Sequence, residues 1–286
     1  MKYTKKYLTY EEQIENIKME KFLVSDEDKL RKFLENVNYF KLREYFKKFE
    51  VTEKNHGNIS IEKVMNHYYF NRELRSILFK MSEKIEISIK NKIAYTIGKN
   101  YGAFGHTDPK TFHETFNHEE FLRRLIAEES RGTEDFVIEF KNKYDEEKFI
   151  PVWIAVEILT FGTISKMFDF MHNKDKKEIA RSYGINAPIL SSWLANLTLM
   201  RNFCAHNSQI WNKNFKPIAQ KPTWNMKDYN PRRVAGMVYM MCYMINQIND
   251  SYDYSDLKKL IINHAESSPE ILKELGFLNI ESLETL

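Results

Sequence analysis

The chain has 286 residues, 43% of them hydrophobic, including 20 Phe and 16 Tyr, which is ample for the core of one large domain or two smaller ones. Its 43 basic and 40 acidic residues are interleaved and give a formal net charge of +3, which excludes a domain-wide basic surface for nucleic acid. Any RNA binding is therefore expected to be local. Only nine glycines and seven prolines are present, which favours helices over sheets.

The two cysteines, Cys204 and Cys242, lie in apolar helical patterns and form no disulfide framework, which favours a reducing cytoplasm. The first twenty residues mix lysines with glutamates and lack the apolar run of a signal peptide. No uninterrupted apolar stretch is long enough to span a membrane. The sequence predicts a soluble, cytoplasmic protein without a membrane partner.

The first part of the chain predicts a small helical hairpin. A helix through Ile14, Ile17 and Phe22 is followed by Ser25–Asp28, which is typical of an N-terminal cap with acids in the first turn of the next helix. A polar break with a glycine then covers residues 52–58. We predict an N-terminal helical extension over residues 1–56 and a main helical domain over residues 57–286, with one continuous domain as the alternative.

Aromatic and basic residues alternate along Asn38–Phe46. Such a pattern allows rings to stack on bases while lysines and arginines hold phosphates. Rings at helical spacing more often pack in a core and leave their basic neighbours in water, and we favour that interpretation here.

The longest helical pattern runs from Ile59 to about Gly98 and predicts either two long helices or one kinked helix. Its charged residues alternate in sign, as on solvated helix faces. The glycines of the following loop, residues 98–109, have neither the spacing nor the preceding strand of a phosphate-binding loop. We assign no nucleotide to it.

Helices are predicted at about residues 117–130 and 134–145. His113 and His118 lie near several glutamates and resemble metal ligands at first sight. Two ligands on one helix face need a spacing of three or four residues, so the interval of five argues against a metal site. We predict no metal and no other cofactor.

Pro151 begins a strongly apolar helix, since proline is tolerated in the first turn. Between Trp153 and Phe161 the only acid is Glu157, whose burial would require a basic partner. Glu157 is therefore either an exception on an exposed stripe or the buried partner of a basic group. Arg201 is the candidate partner, with Glu157 in a supporting role.

Further helices are predicted at about residues 176–183, 188–200, 234–248, 255–265 and 269–275. The segment between Asn212 and Pro231 reads instead as a basic, proline-broken loop of a length that is usually functional or mobile. The residues that we predict to contact RNA lie at its start, and they are Trp211, Asn212, Lys213, Lys216 and Lys221.

The stretch Leu199–Asn212 carries the chemistry. It places Arg201 and His206 at the end of an apolar helix, and together they offer a permanent cation for a phosphate and a proton carrier that titrates near neutral pH. At about 100° per residue, Asn202 and His206 share a face, whereas Arg201 and His206 diverge by about 140°. The long side chain of Arg201 can still reach the same cavity, particularly if the helix ends or distorts near the histidine. The alternative is that Arg201 pairs with Glu157 or Asp169 and His206 only terminates the helix.

Arg201–His206 with Ser208, Trp211 and Asn212 closely resembles the signature of the Abi family of bacterial abortive-infection proteins, of the AbiD and AbiF type, in the HEPN superfamily of RNases. Three earlier blocks resemble the family in the same order. They are Asn38–Tyr45, Tyr69–Arg75 with Glu83–Ile89, and Pro151–Gly162.

This resemblance implies an all-α, HEPN-like helical bundle with an N-terminal helical extension, and metal-independent endoribonuclease chemistry in which the RNA 2′-hydroxyl is the nucleophile. It implies that Arg201 stabilises phosphate charge, that His206 is a general acid or base, and that Asn202 orients the site. The family often has a second arginine three positions after the histidine, where this chain has Gln209. A single arginine–histidine motif also implies a homodimer in which two motifs face each other.

The resulting hypothesis is a ribonuclease toxin of phage defence, held in check by an inhibitory RNA or a protein antitoxin. The alternative is a non-catalytic RNA-binding or scaffold protein of the same fold, in which basic residues of the 213–227 loop control RNA affinity. A metal-dependent nuclease is disfavoured, because no paired carboxylates cluster near Arg201 in the sequence.

Overall fold

The computed structural model describes residues 2, 6–49, 59–132, 134–216, 229–249, 251–284 and 286. Within these residues the chain forms fourteen α-helices and one pair of two-residue strands. The predicted all-α fold class is therefore confirmed. Two compact units are present, residues 1–75 and residues 76–286.

The first unit consists of short helices, a strand pair and the beginning of a long helix. The strands pair in parallel over two residues each, and strands this short leave no alternating pattern by which a sequence predicts them. In chain order the elements are α1 (Tyr10–Met19), β1 (Phe22–Leu23), α2 (Glu27–Asn36), α3 (Tyr39–Phe46), β2 (Ile59–Ser60) and the start of α4 (Ile61–Tyr101).

Side-chain caps fix where α1 and α2 begin. The Thr9 hydroxyl accepts a hydrogen bond from the Glu12 amide at 3.2 Å, while the Glu12 carboxylate accepts one from the Thr9 amide at 2.7 Å. This reciprocal pair is a capping box. Asp26 caps α2 by accepting from the Lys29 amide at 2.8 Å, which confirms the predicted start of that helix.

The aromatic side chains of α3 mainly pack in the core. Leu42, Tyr45 and Phe46 are buried, whereas Phe40 is 77% exposed. The core-packing interpretation of Asn38–Phe46 is thus confirmed for Tyr45 and Phe46. The alternative in which these two rings stack on bases is excluded by their burial.

Helix α4 is one continuous helix of 41 residues. Its apolar residues recur every three or four positions, which keeps them on one face, and the stretch contains no proline that would break it. Its fully buried residues in the second unit include Leu78, Met81, Ile85, Ile89 and Ile93. The predicted domain boundary at residues 56/57 falls within residues 50–58, which lie outside the described residues, so it stays a prediction. The two compact units divide within α4, between Arg75 and Ser76.

The second unit contains the rest of α4 and ten further helices among its described residues, with two short 3-10 turns after α4 (Gly105–Thr107 and Pro109–Thr111). The helices are α5 (His118–Arg131), α6 (Asp135–Lys143), α7 (Val152–Ile158), α8 (Phe161–Phe170), α9 (Asn173–Arg181), α10 (Ala187–Ala205), α11 (Val234–Asn246), α12 (Ser255–Ser267), α13 (Glu270–Leu275) and α14 (Glu281–Glu284).

A threonine divides the apolar segment that follows Pro151. The Thr160 hydroxyl accepts a hydrogen bond from the Thr163 amide at 3.3 Å and so caps a new helix. Phe161 therefore begins α8 rather than extending α7. Pro151 occupies the N-cap position of α7, in agreement with the prediction that it begins a helix.

Helix α10 is the centre of the second unit, because it packs against α8, α9 and α11. Pro188 lies in its first turn, as predicted. Trp193, Leu194, Leu197 and Met200 are fully buried along its length. This burial holds the helix whose last turn carries Arg201 and Asn202.

A buried carboxylate joins α9 to the end of α4. Asp175 is 1% exposed, and it accepts hydrogen bonds from the Asn100 amide at 2.8 Å and the Tyr101 hydroxyl at 2.6 Å. Burial and the neighbouring Asp175 carboxylate raise the pKa of the Tyr101 hydroxyl, which keeps it a donor at neutral pH.

We expect Asp175→Ala to lower the free energy of unfolding by about 3 kcal/mol, because it leaves two polar groups without their acceptor. Urea denaturation measures the loss. Lys177→Ala, an exposed change on the same helix, is the control and is expected to cost less than about 0.5 kcal/mol. Equal stability of the two variants would contradict the proposed role of Asp175.

Candidate active site

The last turn of α10 ends in a Schellman motif. His206 is the C-cap residue, and Asn207 follows with φ +54°, in the left-handed region that asparagine tolerates better than most residues. The Ser208 amide donates to the Phe203 carbonyl at 2.9 Å, and the Asn207 amide to the Cys204 carbonyl at 3.3 Å. The helix therefore stops at His206, and the chain turns away directly after it.

His206 and Asn202 lie on one exposed face at the end of α10. The His206 amide donates to the Asn202 carbonyl at 2.9 Å, one helical turn back, and both side chains are exposed. Within the described residues the His206 imidazole makes no hydrogen bond or ion pair. This agrees with the helical geometry expected from the sequence and leaves both ring nitrogens open to a ligand.

Arg201 lies in a different environment, against α4. Its Nε atom is 3.6 Å from a carboxylate oxygen of Glu86, and its guanidinium lies 5.6 Å from the centre of the Phe79 ring. The side chain is 36% exposed, although Nε itself is buried. Among the described residues Arg201 donates no hydrogen bond, so its guanidinium retains unused donors.

The predicted partners of Arg201 are wrong. The Glu157 side chain is exposed and makes no ion pair in the described part of the chain, and Asp169 likewise does not contact Arg201. Glu157 contributes only its backbone, whose carbonyl accepts a hydrogen bond from the Lys90 amine at 3.2 Å. An acid in an apolar segment need not be buried, because a short helix such as α7 still has one face in water.

Glu86 and Lys90 form the other part of this cluster. Their side chains are 13% and 10% exposed and lie 3.3 Å apart, so the prediction that these charges belong to a solvated face is wrong. We name Glu86, Lys90 and Arg201 the Glu86 cluster. It holds two cations and one carboxylate, and this excess of positive charge, beside open guanidinium donors, favours an anion such as a phosphate.

Within one chain, Arg201 and His206 are not joined. No hydrogen bond or ion pair links them among the described residues, and each has its own surroundings. Arg201 is held by α4, and His206 projects from the helix end. This separation follows the divergence of about 140° that their spacing gives on a helix.

Trp211 and Asn212 have structural roles. Trp211 is fully buried, which contradicts its predicted role in RNA contact, because a buried ring cannot stack on a base. Both oxygens of Asn212, backbone and side chain, accept hydrogen bonds from Arg233 at 2.9 and 3.1 Å. Trp211 and Asn212 thus anchor the chain after the turn at Asn207.

The three predicted RNA-binding lysines differ in their surroundings. The Lys213 amine lies 4.0 Å from the centre of the Phe203 ring, a cation–π contact, and its side chain is half-buried. Lys216 is exposed. Lys221 lies outside the described residues. Of the two described lysines, Lys216 is the one that can meet a phosphate without giving up a protein contact.

The histidines near the start of α5 make other contacts. His113 Nδ1 lies 2.8 Å from the Thr115 hydroxyl, and His118 Nε2 lies 3.0 Å from the His106 carbonyl. Among the residues that the structure describes, no group of three or more His, Cys, Asp or Glu side chains is arranged to hold a metal ion. Cys204 and Cys242 are both buried, and neither forms a disulfide bond within the described residues.

No helix in the described ranges is both long enough and apolar enough to cross a membrane.

A family model described as Abi-like protein matches residues 32–212, which is more than half of the chain. The chain belongs to the Abi-like protein family. No curated protein and no solved structure shows significant similarity to it. Membership in the Abi-like family indicates a role in abortive infection, a bacterial defence against phage.

The Abi-like region includes both parts of the candidate site. It extends from within α2 to Asn212, so it contains the Glu86 cluster, the end of α10 and the buried Trp211. It ends before Lys213, Lys216 and Lys221. The family pattern thus covers the residues that shape the site and stops where the predicted RNA-binding lysines begin.

Glu86, Lys90 and Phe79 are the site residues that sequence reasoning did not select. A signal for Glu86 was present, since it lies in the block Glu83–Ile89 that resembles the family. It was not used because an i,i+4 pair of opposite charges is usually a solvated surface feature. Only the packing of α4 shows that this pair is withdrawn from water.

We expect Glu86→Gln to lower the free energy of unfolding by about 2 kcal/mol, because two partly buried cations lose their counter-charge. In a Lys90→Met background the loss is expected to be about 1 kcal/mol smaller. Glu83→Gln, one turn earlier and exposed, is the matched control. Equal losses with and without Lys90 in urea denaturation would show that the pair is not coupled.

Proposed function

We propose that this Abi-like protein is a metal-independent endoribonuclease toxin of phage defence, of the AbiD and AbiF type within the HEPN superfamily, acting in the bacterial cytoplasm. The observation that carries the proposal is the incomplete pairing of the Arg201 guanidinium. Its guanidinium lies beside one carboxylate shared with Lys90, and its donors are unused within the described residues. A cation in this state is suited to the charge that develops on a phosphate during cleavage.

The proposed reaction needs no group beyond the chain and its substrate. A base removes the proton of the RNA 2′-hydroxyl, and the oxygen attacks the adjacent phosphorus. The bond from phosphorus to the 5′-oxygen breaks, and an acid protonates that oxygen. The products are a 2′,3′-cyclic phosphate and a 5′-hydroxyl. His206 serves as the acid or base, because its exposed ring nitrogens are free to accept and donate a proton.

Arg201 and Asn202 support this reaction in different ways. Arg201 stabilises the extra negative charge on the non-bridging oxygens, and Asn202, exposed on the same face as His206, orients the substrate or the imidazole through its amide. Glu86 acts on Arg201 and not on the RNA, so it is a positioning residue. Lys216 is the described lysine best placed to hold a neighbouring phosphate.

The separation of Arg201 from His206 within one chain supports a site composed from two chains. In a homodimer with the two α10 ends facing each other, the histidine of one copy and the arginine of the other can address the same phosphate. Sedimentation velocity at micromolar concentration tests this arrangement, with a dimer as the expected result. A monomer would contradict the composite site while leaving the chemistry of a single copy testable.

A toxin of this kind requires control, and we propose that an inhibitory RNA or a protein antitoxin supplies it. The exposed face with Asn202 and His206 is the surface that such an inhibitor would have to cover to block cleavage. The inhibitor and the substrate would then compete for the same residues.

The decisive experiment compares RNA cleavage by the wild type, His206→Ala and the control His113→Ala in excess EDTA. His113 is also exposed, and among the described residues its imidazole hydrogen-bonds only with Thr115, so its replacement changes the histidine content without touching the site. We expect His206→Ala to cut at least about 100-fold more slowly, with an unchanged melting temperature, and His113→Ala to cut like the wild type. The wild-type products should end in a cyclic phosphate or a 3′-phosphate.

Two results would overturn the proposal. Full cleavage by His206→Ala would remove His206 from the reaction, and loss of cleavage in EDTA would indicate a metal-dependent nuclease. If neither the wild type nor His206→Ala cuts RNA but the two bind it equally, the result favours the alternative of a non-catalytic RNA-binding protein. In that case Lys216→Ala should weaken RNA binding, and His206→Ala should not.

A further inference from the structure

A cavity of about 330 Å³ lies between α5 and α8, in the second unit. Its residues come from one face of each helix and from the segment directly before α5. On α8 they are Thr163, Lys166 and Phe170, and on α5 they include Phe121 and Arg124, each set at the three- or four-residue spacing that shares a face. The volume lies in the range of about 300–1,000 Å³ that is typical of small-molecule sites.

Aromatic rings form one side of this cavity. Phe116 and Phe170 are stacked with their centres 5.1 Å apart, and Phe121 lies 5.7 Å from Phe116. Phe121 is 3% exposed, whereas Phe116 and Phe170 are only half-buried. Two phenylalanine rings that stay partly in water at a concave surface offer a flat apolar face to a planar ligand.

Two cations, Lys166 and Arg124, also line the cavity. Lys166 is exposed and makes no hydrogen bond or ion pair within the described residues. Arg124 donates to Glu120 at 2.8 Å, and this hydrogen bond is the main reason that the pKa of the Glu120 carboxyl lies below its usual value. With Glu120 ionised, the cavity lining carries two cations and one anion. The excess positive charge belongs to Lys166.

The walls of the cavity are held by backbone hydrogen bonds. The His113 amide donates to the Phe170 carbonyl at 2.8 Å, and Phe112 pairs with Met171 in an antiparallel bridge. The segment that carries Phe116 is therefore tied to the end of α8. A pocket fixed in this way loses little conformational entropy when a ligand enters.

We propose that this cavity binds a nucleotide, with the base against the rings of Phe116 and Phe170 and the phosphate on Lys166. The planar apolar surface matches the base of a nucleotide, and the nearby Lys166, which has no partner among the described residues, matches its phosphate. A base alone would leave Lys166 without a partner, and a phosphate alone would leave the rings without one. Free nucleoside monophosphates and the phosphorylated 5′ end of an RNA share this chemistry. The site uses none of the residues of the Glu86 cluster or His206, so it is independent of the proposed cleavage.

Isothermal titration calorimetry of the full chain with the four nucleoside 5′-monophosphates tests the proposal. We expect at least one to bind, and its nucleoside without the phosphate to bind at least about tenfold more weakly. Lys166→Glu and Phe116→Ala should each weaken binding by a similar factor. The matched controls are Lys177→Ala, an exposed lysine of α9, and Phe136→Ala, a half-exposed ring of α6, and both should bind like the wild type.

A 5′-phosphorylated RNA tetranucleotide, titrated into His206→Ala protein to prevent cleavage, distinguishes the two sources of the ligand. If a nucleoside monophosphate and the tetranucleotide both bind, the natural ligand is a free nucleotide. If only the tetranucleotide binds, the natural ligand is the 5′ end of an RNA. The proposal is overturned if no ligand binds up to about 5 mM, if Lys166→Glu and Phe116→Ala bind as well as the controls, or if inorganic phosphate binds as tightly as the nucleotides. None of these outcomes affects RNA cleavage by the wild type.

Discussion

The candidate site depends on the Glu86 carboxylate, which lies close to two cations, Lys90 and Arg201. Glu86 lies on a helix whose neighbouring positions, Ile85 and Ile89, are fully buried, and it holds Lys90 at 3.3 Å and Arg201 at 3.6 Å. Withdrawing charges from water is costly unless they are paired. Here the pairing is incomplete, since one negative charge faces two positive ones. The remaining charge makes the cluster receptive to an anion, and it also fixes the arginine on the α4 side of α10.

Helix α10 therefore presents the Arg201 guanidinium and the His206 imidazole in two different directions. The buried residues of α10, with Trp193 and Leu197 among them, hold its axis, and Arg201 points toward Glu86. The left-handed Asn207 ends the helix at His206, and the chain is buried again at Trp211. Arg201 and His206 thus diverge around the same end of α10, which is why a second copy of the chain enters the proposed mechanism.

Periodicity alone was sufficient for the fold class and for most helices, because the apolar residues of α4, α10 and α11 recur at helical spacing and no tertiary contact overrides them. The stretch Leu199–Asn212 was also found from sequence. The sequence alone does not show which side chains surround each residue or whether that residue faces water. Glu157 and Glu86 are both acids in apolar helices, and only packing decides that the first faces water and the second meets Arg201. Likewise, Trp211 near basic residues resembles a base-stacking ring until its burial is known.

The chain on either side of residues 217–228 is attached to the second unit independently. The Phe215 amide donates to the Arg232 carbonyl at 2.8 Å, and Tyr229 pairs with Phe277 in an antiparallel bridge. Because the entropy of closing a loop rises only slowly with its length, insertions between two such fixed points cost little stability. Evolution can thus lengthen, shorten or exchange this segment without moving His206. Under the proposed function, relatives can in this way diverge in the RNAs that they select.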